Sequence, residues 1–200
     1  MRKIVAGLFQ SIDGVVQAPG GPEEDRDGGF EHGGWVMPHF DETVAGFMGE
    51  VFAGPFDLLL GRRTYDVFAG HWPEAGDDPT GAKLNRAAKF VVTRGAGPLA
   101  WENSHALADL DAVADLKRTD GPDLLVQGSG TLYPELLARA LIDRLFLVTF
   151  PIVLGTGKRA LDGAPAGCFR LVEHRGSGTG VIVGVYEPAG ALRTRSVPAP

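Results

Sequence analysis

The chain has 200 residues, 44% of them hydrophobic and 22% charged, with 25 acidic against 19 basic side chains and a formal net charge of -6. That is the size of one domain with core enough to fold without staples, and its acidic balance argues against general nucleic-acid binding. The single cysteine, Cys168, suits a reducing compartment, the five histidines keep no metal-ligand spacing, and no apolar run approaches the ~20 residues of a membrane span, so a cytosolic, metal-free protein is expected.

Residues 3–11 (KIVAGLFQS) predict a strand, because the run is too short and too soon broken by Gln10, Ser11 and Asp13 for a signal peptide. Ile4, Ala6 and Leu8 point one way and Val5, Gly7 and Phe9 the other, as on a central strand covered on both faces. Residues 18–34 (APGGPEEDRDGGFEHGG) are dense in Gly, Pro and acids and predict a long loop, of the kind that serves as a lid. Phe40, Val44, Phe47 and Val51 recur at helical spacing. Apolar runs at 56–60, 89–93, 123–127, 144–150 and 181–186 predict further strands. Leu110, Val113 and Leu116 behind Asp109 predict a capped helix, and Leu132, Leu136 and Ala140 another, with Pro134 in its first turn. Strands alternating with helices imply an α/β sheet, largely parallel. The runs at 144–150 and 181–186 predict an antiparallel pair closing one edge. A single domain over 1–187 and a flexible tail over 188–200 are expected.

Three strand ends have the composition of anion sites. Gly61-Arg62-Arg63-Thr64-Tyr65 offers a sharp turn, helix-start amides and two guanidinium groups; the competing reading is a plain turn with solvated arginines. Thr93 and Arg94 suit a phosphomonoester. Gln127-Gly128-Ser129-Gly130-Thr131-Leu132-Tyr133 is a G-x-G turn between strand and helix that lacks the last glycine and the distal acid of a dinucleotide fingerprint, so a bare tight turn stands as its alternative. Ligands of open α/β sheets bind beyond the carboxyl ends of the strands, so three such turns together would outline one extended cleft.

In order and approximate spacing, Ser11-Ile12-Asp13-Gly14, Gly61-Arg62-Arg63-Thr64-Tyr65, Val91-Val92-Thr93-Arg94 and Gly128-Ser129-Gly130-Thr131-Leu132-Tyr133 resemble the dihydrofolate-reductase-like superfamily. The closer resemblance, over residues 2–187, is to the reductase domain of the bifunctional riboflavin-biosynthesis deaminase–reductase and its stand-alone relatives. It implies a mixed, mostly parallel sheet flanked by helices, and NADPH as cofactor. Gly61, Arg62, Arg63 and Thr64 would hold the pyrophosphate and nearby ribose phosphate, Thr93 and Arg94 the 2′-phosphate. Gly128, Ser129, Gly130, Thr131 and Leu132 would wrap the pyrophosphate and nicotinamide side, with Ala6 by the carboxamide. It also implies a homodimer and a pteridine- or pyrimidine-like small-molecule substrate, a ribosylaminopyrimidine among them.

Asp13 and Asp41 are the catalytic candidates. Asp13 would bind substrate, or simply make the turn before Gly14. Trp35, Pro38 and Asp41 resemble the Trp, Pro and carboxylate of dihydrofolate reductases, but Asp41 sits one residue late and Phe40 takes its place, which argues against folate reduction. Asp41 also reads as a helix N-cap. Trp35 would stack on a flat substrate ring or anchor the core. Dihydrofolate reduction and a non-catalytic nucleotide sensor are the alternatives to the lead reading, a hydride-transferring reductase.

Overall fold

The computed structural model describes residues 1–95 and 97–196. Eight strands form one sheet in the order β4-β3-β2-β5-β1-β6-β8-β7. They are β1 (Ile4–Ser11), β2 (Phe56–Gly61), β3 (Lys89–Val92), β4 (Ser104–Leu107), β5 (Asp123–Gln127), β6 (Arg144–Phe150), β7 (Cys168–Gly176) and β8 (Ile182–Gly190). The helices are α1 (Glu42–Val51), α2 (Arg62–Ala69), α3 (Pro79–Arg86), α4 (Leu110–Arg118) and α5 (Tyr133–Ala138). All pairings from β4 to β6 are parallel, while β8 runs antiparallel to β6 and β7 to β8. This is the mixed, mostly parallel sheet flanked by helices that the sequence leads one to expect. Its consequence for function is that the carboxyl ends of β3, β2, β5, β1 and β6 lie in that order along one edge.

β1 sits near the centre because both of its faces are apolar. Ile4, Ala6 and Leu8 are buried with Leu110 and Val113 of α4 and Tyr133 and Leu136 of α5. Val5 and Phe9 pack on the opposite side against the cluster that holds Val44 and Phe47 of α1. Gly7 interrupts that second face for a steric reason: a Cβ there would lie 1.8 Å from the Phe146 ring, which occupies its place. On β2, Leu58, Leu59 and Leu60 are all fully buried. Each such side chain contributes about 1.5–3 kcal/mol over leaving it exposed, so the turn that follows starts from a rigid base.

Local signals set the helix starts. Asp41 accepts from the Thr43 and Val44 amides and begins α1, Asp78 from Thr80 and Gly81 at α3, and Asp109 from Asp111 and Ala112 at α4. Pro134 lies in the first turn of α5, where no intrahelical acceptor awaits its missing N–H.

Four expectations need correction. Phe40 lies outside α1, because Asp41 is the cap; the buried stripe is Val44, Phe47 and Met48. β4 and α3 were not expected: β4 is four residues long and half exposed, and α3 buries only Gly81 and Leu84. The outer strand is β7, whose alternation is erased by exposure on both faces. The chain does not leave the sheet after Tyr186, since β8 continues through Gly190 against β7. Residues 197–200 of the expected tail lie outside the described residues.

Candidate functional site at the carboxyl edge of the sheet

The turns after β2 and β5 meet. The Gly61 amide donates to Ser129 Oγ at 2.9 Å, and the Ser129 amide donates to Thr64 Oγ1 at 3.0 Å. Two consecutive left-handed residues, Gly128 (φ 64°) and Ser129 (φ 54°), bend the chain so that this exchange can form. A side chain at Gly128 would press on the Thr64 methyl at 3.2 Å. The segment after β3 joins from the other side: Arg62 spans from Asp66 on its own helix (2.9 Å) to the Gly97 carbonyl (3.1 Å). Thr93 Oγ1 accepts from the Gly95 amide at 3.1 Å, and Arg94 is exposed. The three strand-end turns therefore line one rim, in the order 93–94, 61–64, 128–132.

The start of α2 differs from those of α1, α3 and α4, while the Gly130–Leu132 turn lacks a side-chain cap as the 3-10 turns Asp27–Gly29, Met37–His39 and Trp72–Glu74 do. Among the described residues, no side chain caps α2 or the 3-10 turn Gly130–Leu132 that leads into α5, whereas α1, α3 and α4 each carry an Asp cap. The opening amides of α2 and of the Gly130–Leu132 turn have no intrahelical acceptor. Two adjacent starts of this kind are suited to anions.

Beside the rim lies β1. Ala6 is fully buried between Val126 and Leu145. The Tyr133 hydroxyl donates to the Gly7 carbonyl at 2.7 Å. Burial pushes its pKa above the ordinary tyrosine value, so it stays a neutral donor. Leu132 stands 3.7 Å from where a Gly61 Cβ would be.

Asp13 works as a bolt. Its carboxylate accepts from Ser11 Oγ (2.6 Å), the Leu154 amide (3.1 Å) and the Gly155 amide (2.9 Å), and Arg159 adds an ion pair at 3.3 Å. The Ser11 hydroxyl, and after it the Leu154 amide, hold its carboxyl down to about 2. This ties the end of β1 to the loop after β6. Asp41, besides capping α1, faces the β7–β8 turn, where the Thr179 amide lies 3.4 Å from Oδ2. It does not meet Asp13. Trp35 is 7% exposed, with its indole N–H on the Gln17 carbonyl (2.8 Å) and its ring edge-on to Phe150. It anchors the loop 18–34 to the core.

That loop forms a strap held by residues that composition did not single out. The Gln17 side chain donates to the Asp25 and Asp27 carbonyls (3.0 and 2.9 Å) and accepts from the Lys158 amide (3.1 Å). The carboxylates of Asp25 and Asp27 pair with both Arg63 and Lys158 at 2.6–2.9 Å. A cavity of about 430 Å³ lies between strap and loop, lined by Gln17, Asp27, Phe30, Thr156, Gly157 and Lys158. The only sequence signal for Lys158 was its place in Gly155-Thr156-Gly157-Lys158 after the β6 run, a G-x-G turn with a base beside it.

Residues 2–183 match the family model of the RibD C-terminal domain. The chain belongs to the RibD C-terminal domain family. As a member it shares 23% identity over 193 residues with the uncharacterized protein YyaP of Bacillus subtilis (strain 168), covering 92% of this chain and 94% of that one. Solved structures with this RibD C-terminal fold include a putative riboflavin biosynthesis protein from Shewanella sp. PV-4, at 18% identity, TM-score 0.67 and coverage of 94% of this chain and 99% of that one. A pyrimidine reductase-like protein from Corynebacterium diphtheriae aligns at 13% identity and TM-score 0.60, covering 94% and 92%. A dihydrofolate reductase from Enterococcus faecalis, complexed with NADP(H) and RAB-propyl, aligns at 16% identity and TM-score 0.60, covering 93% and 96%. Membership in the RibD C-terminal family supports a reductase-type function. Among the described residues no helix is long and apolar enough to cross a membrane.

Proposed function

We propose that this protein is an NADPH-dependent reductase acting on a small pteridine- or pyrimidine-like compound, with a ribosylaminopyrimidine as the type of substrate. The observation that carries the reading is the pair of uncapped helix starts, α2 and the Gly130–Leu132 turn, locked side by side by Gly61, Ser129 and Thr64. Two adjacent anion-accepting starts fit a pyrophosphate. Thr93 and Arg94, at the next strand end, supply the hydroxyl and guanidinium that a 2′-phosphate needs. Ala6, on the central strand beside this rim, is where the nicotinamide end would lie.

When bound, the cofactor supplies a hydride to an electrophilic ring or sugar-derived carbon. The chain contributes position and electrostatics. Tyr133 fixes the Gly7 carbonyl on β1, and Leu132 and Gly61 keep the rim narrow. Asp13 is ionised throughout the neutral range and bound on both oxygens, so in this reading it positions the loop after β6 rather than delivering a proton. Asp41 is engaged at both oxygens too, by the Thr43 and Val44 amides and by Thr179, so in this reading it is a positioning residue that sets the start of α1 against the β7–β8 turn. The same reading makes the protein a cytosolic homodimer.

Titration followed by reduced-nicotinamide fluorescence tests this. NADPH should bind at micromolar concentrations and NADH at least tenfold more weakly. Absence of binding by either at millimolar concentration would remove the reading.

A further inference from the structure

Sheet order gives the strap a meaning beyond that of a loop. Arg63 follows β2 and Lys158 follows β6, and between those strands lie β5 and β1. Three strand spacings of about 4.8 Å separate the two sheet positions. Yet both cations converge on the same two carboxylates. Asp25 takes Arg63 on one oxygen (2.6 Å) and Lys158 on the other (2.9 Å), while Asp27 Oδ2 takes both, at 2.7 and 2.8 Å. The strap thus bridges the turn after β2 and the loop after β6, past the ends of β5 and β1, and is fastened on each side.

We propose that Arg63 and Lys158 form a two-cation site for a phosphoryl group, and that Asp25 and Asp27 occupy it as built-in competitors until a phosphorylated ligand displaces them. Two cations within a carboxylate's width of each other match a tetrahedral dianion as well as they match two carboxylates. The Asp27 pairs suit exchange, since Arg63 is 59% exposed, Asp27 54% and Lys158 40% and water screens them, whereas Asp25, 15% exposed, is the more firmly seated carboxylate. Displacing the strap means releasing the Asp25 and Asp27 carbonyls from the buried Gln17 amide, while Gly28 and Gly29, at positive φ with nothing within 4 Å of a would-be side chain, leave its outer end room to move and Trp35 keeps its base in the core. Release would free the Arg63 guanidinium beside the α2 amides and open the cavity next to Lys158 at the same time.

The inference rests on the cofactor reading for its natural ligand but not for its test. The probes are inorganic pyrophosphate and NADPH, measured by calorimetry on the full chain and on the Asp25→Asn/Asp27→Asn variant, with amide hydrogen exchange of residues 20–34 recorded alongside. Removing the competing charges should tighten pyrophosphate about 5- to 10-fold, and pyrophosphate should speed strap exchange in the native chain. Lys158→Ala in the variant background should abolish the gain. Unchanged or weaker pyrophosphate binding by the variant overturns the proposal, as does a native strap that exchanges no faster with pyrophosphate present. If NADPH binds neither protein while pyrophosphate behaves as stated, the cofactor reading fails and the two-cation site stands. If NADPH binds both proteins equally and pyrophosphate does not discriminate, the reverse holds. A melting temperature for each variant separates loss of the fold from loss of the site.

Discussion

Ser129 and Gly61 lie 68 positions apart, yet the Gly61 amide donates to the Ser129 hydroxyl at 2.9 Å, and that bond is buried. It joins the ends of two strands, β2 and β5, that pair directly in the sheet. With Thr64 answering from the other side, the two turns act as one rigid piece. A site built this way has its amides placed before any ligand arrives.

Ser129→Ala leaves the Gly61 amide buried without an acceptor. Such an orphaned donor costs about 1–3 kcal/mol. Urea denaturation should show a loss of that size with an unchanged m-value. Thr64→Val should cost a similar amount through the Ser129 amide, and the double variant should cost less than the sum, because the two bonds share one unit.

Gly7→Ala should be severely destabilising, because the added methyl would fall 1.8 Å from the Phe146 ring and that ring is buried on all sides. Overpacking of this kind costs about 1–3 kcal/mol or more. Phe146→Leu should recover part of the loss in the Gly7→Ala background while destabilising the native chain. Thermal melts of the four proteins check the pattern.

Asp13→Asn removes the charge that gathers Ser11, Leu154, Gly155 and Arg159. The folded carboxyl sits near 2, against an ordinary 3.8. A depressed acid contributes its full share above the unfolded value and loses it as pH falls through the folded one. The stability gap between native chain and variant should therefore be constant above pH 4 and shrink between pH 4 and 2. A gap independent of pH across that window would remove the charge from the account.

Lys89 is the reverse case. Its side chain is fully buried, donates to the Asn85 carbonyl (2.7 Å) and the Glu102 carbonyl (3.1 Å), and lies 4.1 Å from the Trp101 ring centroid. Burial pulls its pKa from 10.5 down to about 8. Below pH 8 both folded and unfolded chains carry the proton, and the cost of the buried charge is complete. Between 8 and 10.5 the unfolded chain holds more protons, so stability rises with pH. Relative to Lys89→Met, the native chain should gain about 2–3 kcal/mol across that range. Chemical denaturation at pH 7.5 and 10.5 reads the difference.

Arg94→Ala should weaken NADPH far more than NADH, because only NADPH carries the 2′-phosphate. The loss of a charged hydrogen bond, about 1.5–3 kcal/mol, corresponds to a 10- to 150-fold rise in Kd. Equal losses for both cofactors would remove the role assigned to Arg94.

What could be read from the residues follows from where side chains are buried. β1, β2, β5 and β6 lie in the interior, so their apolar runs are unbroken and plain. β7 is an edge strand whose Arg170, Glu173 and Arg175 meet water and ion-pair partners, and it leaves no periodic trace. β4 and α3 are too short and too exposed to carry one. The turns after β2 and β5 were legible as turns because glycine and the helix start leave marks at fixed offsets. The strap was legible as a loop, but its fastening was not: Arg63 and Lys158 are 95 residues apart, and only the strand order brings both to Asp25 and Asp27. Lys89 looked like one more member of a strand, since nothing in its neighbours announces a buried ammonium.

The central claim is that the turns 61–64, 93–94 and 128–132 form one rim for a phosphorylated dinucleotide. Backbone amide chemical shifts of the ¹⁵N-labelled protein, recorded through an NADPH titration, test it most directly. The account predicts that Gly61, Arg62, Thr64, Arg94, Gly130 and Thr131 move together on a single saturation curve, with the Ala6 and Gly7 amides following. Shifts confined to one of the three turns, or centred on the opposite edge of the sheet, would contradict it.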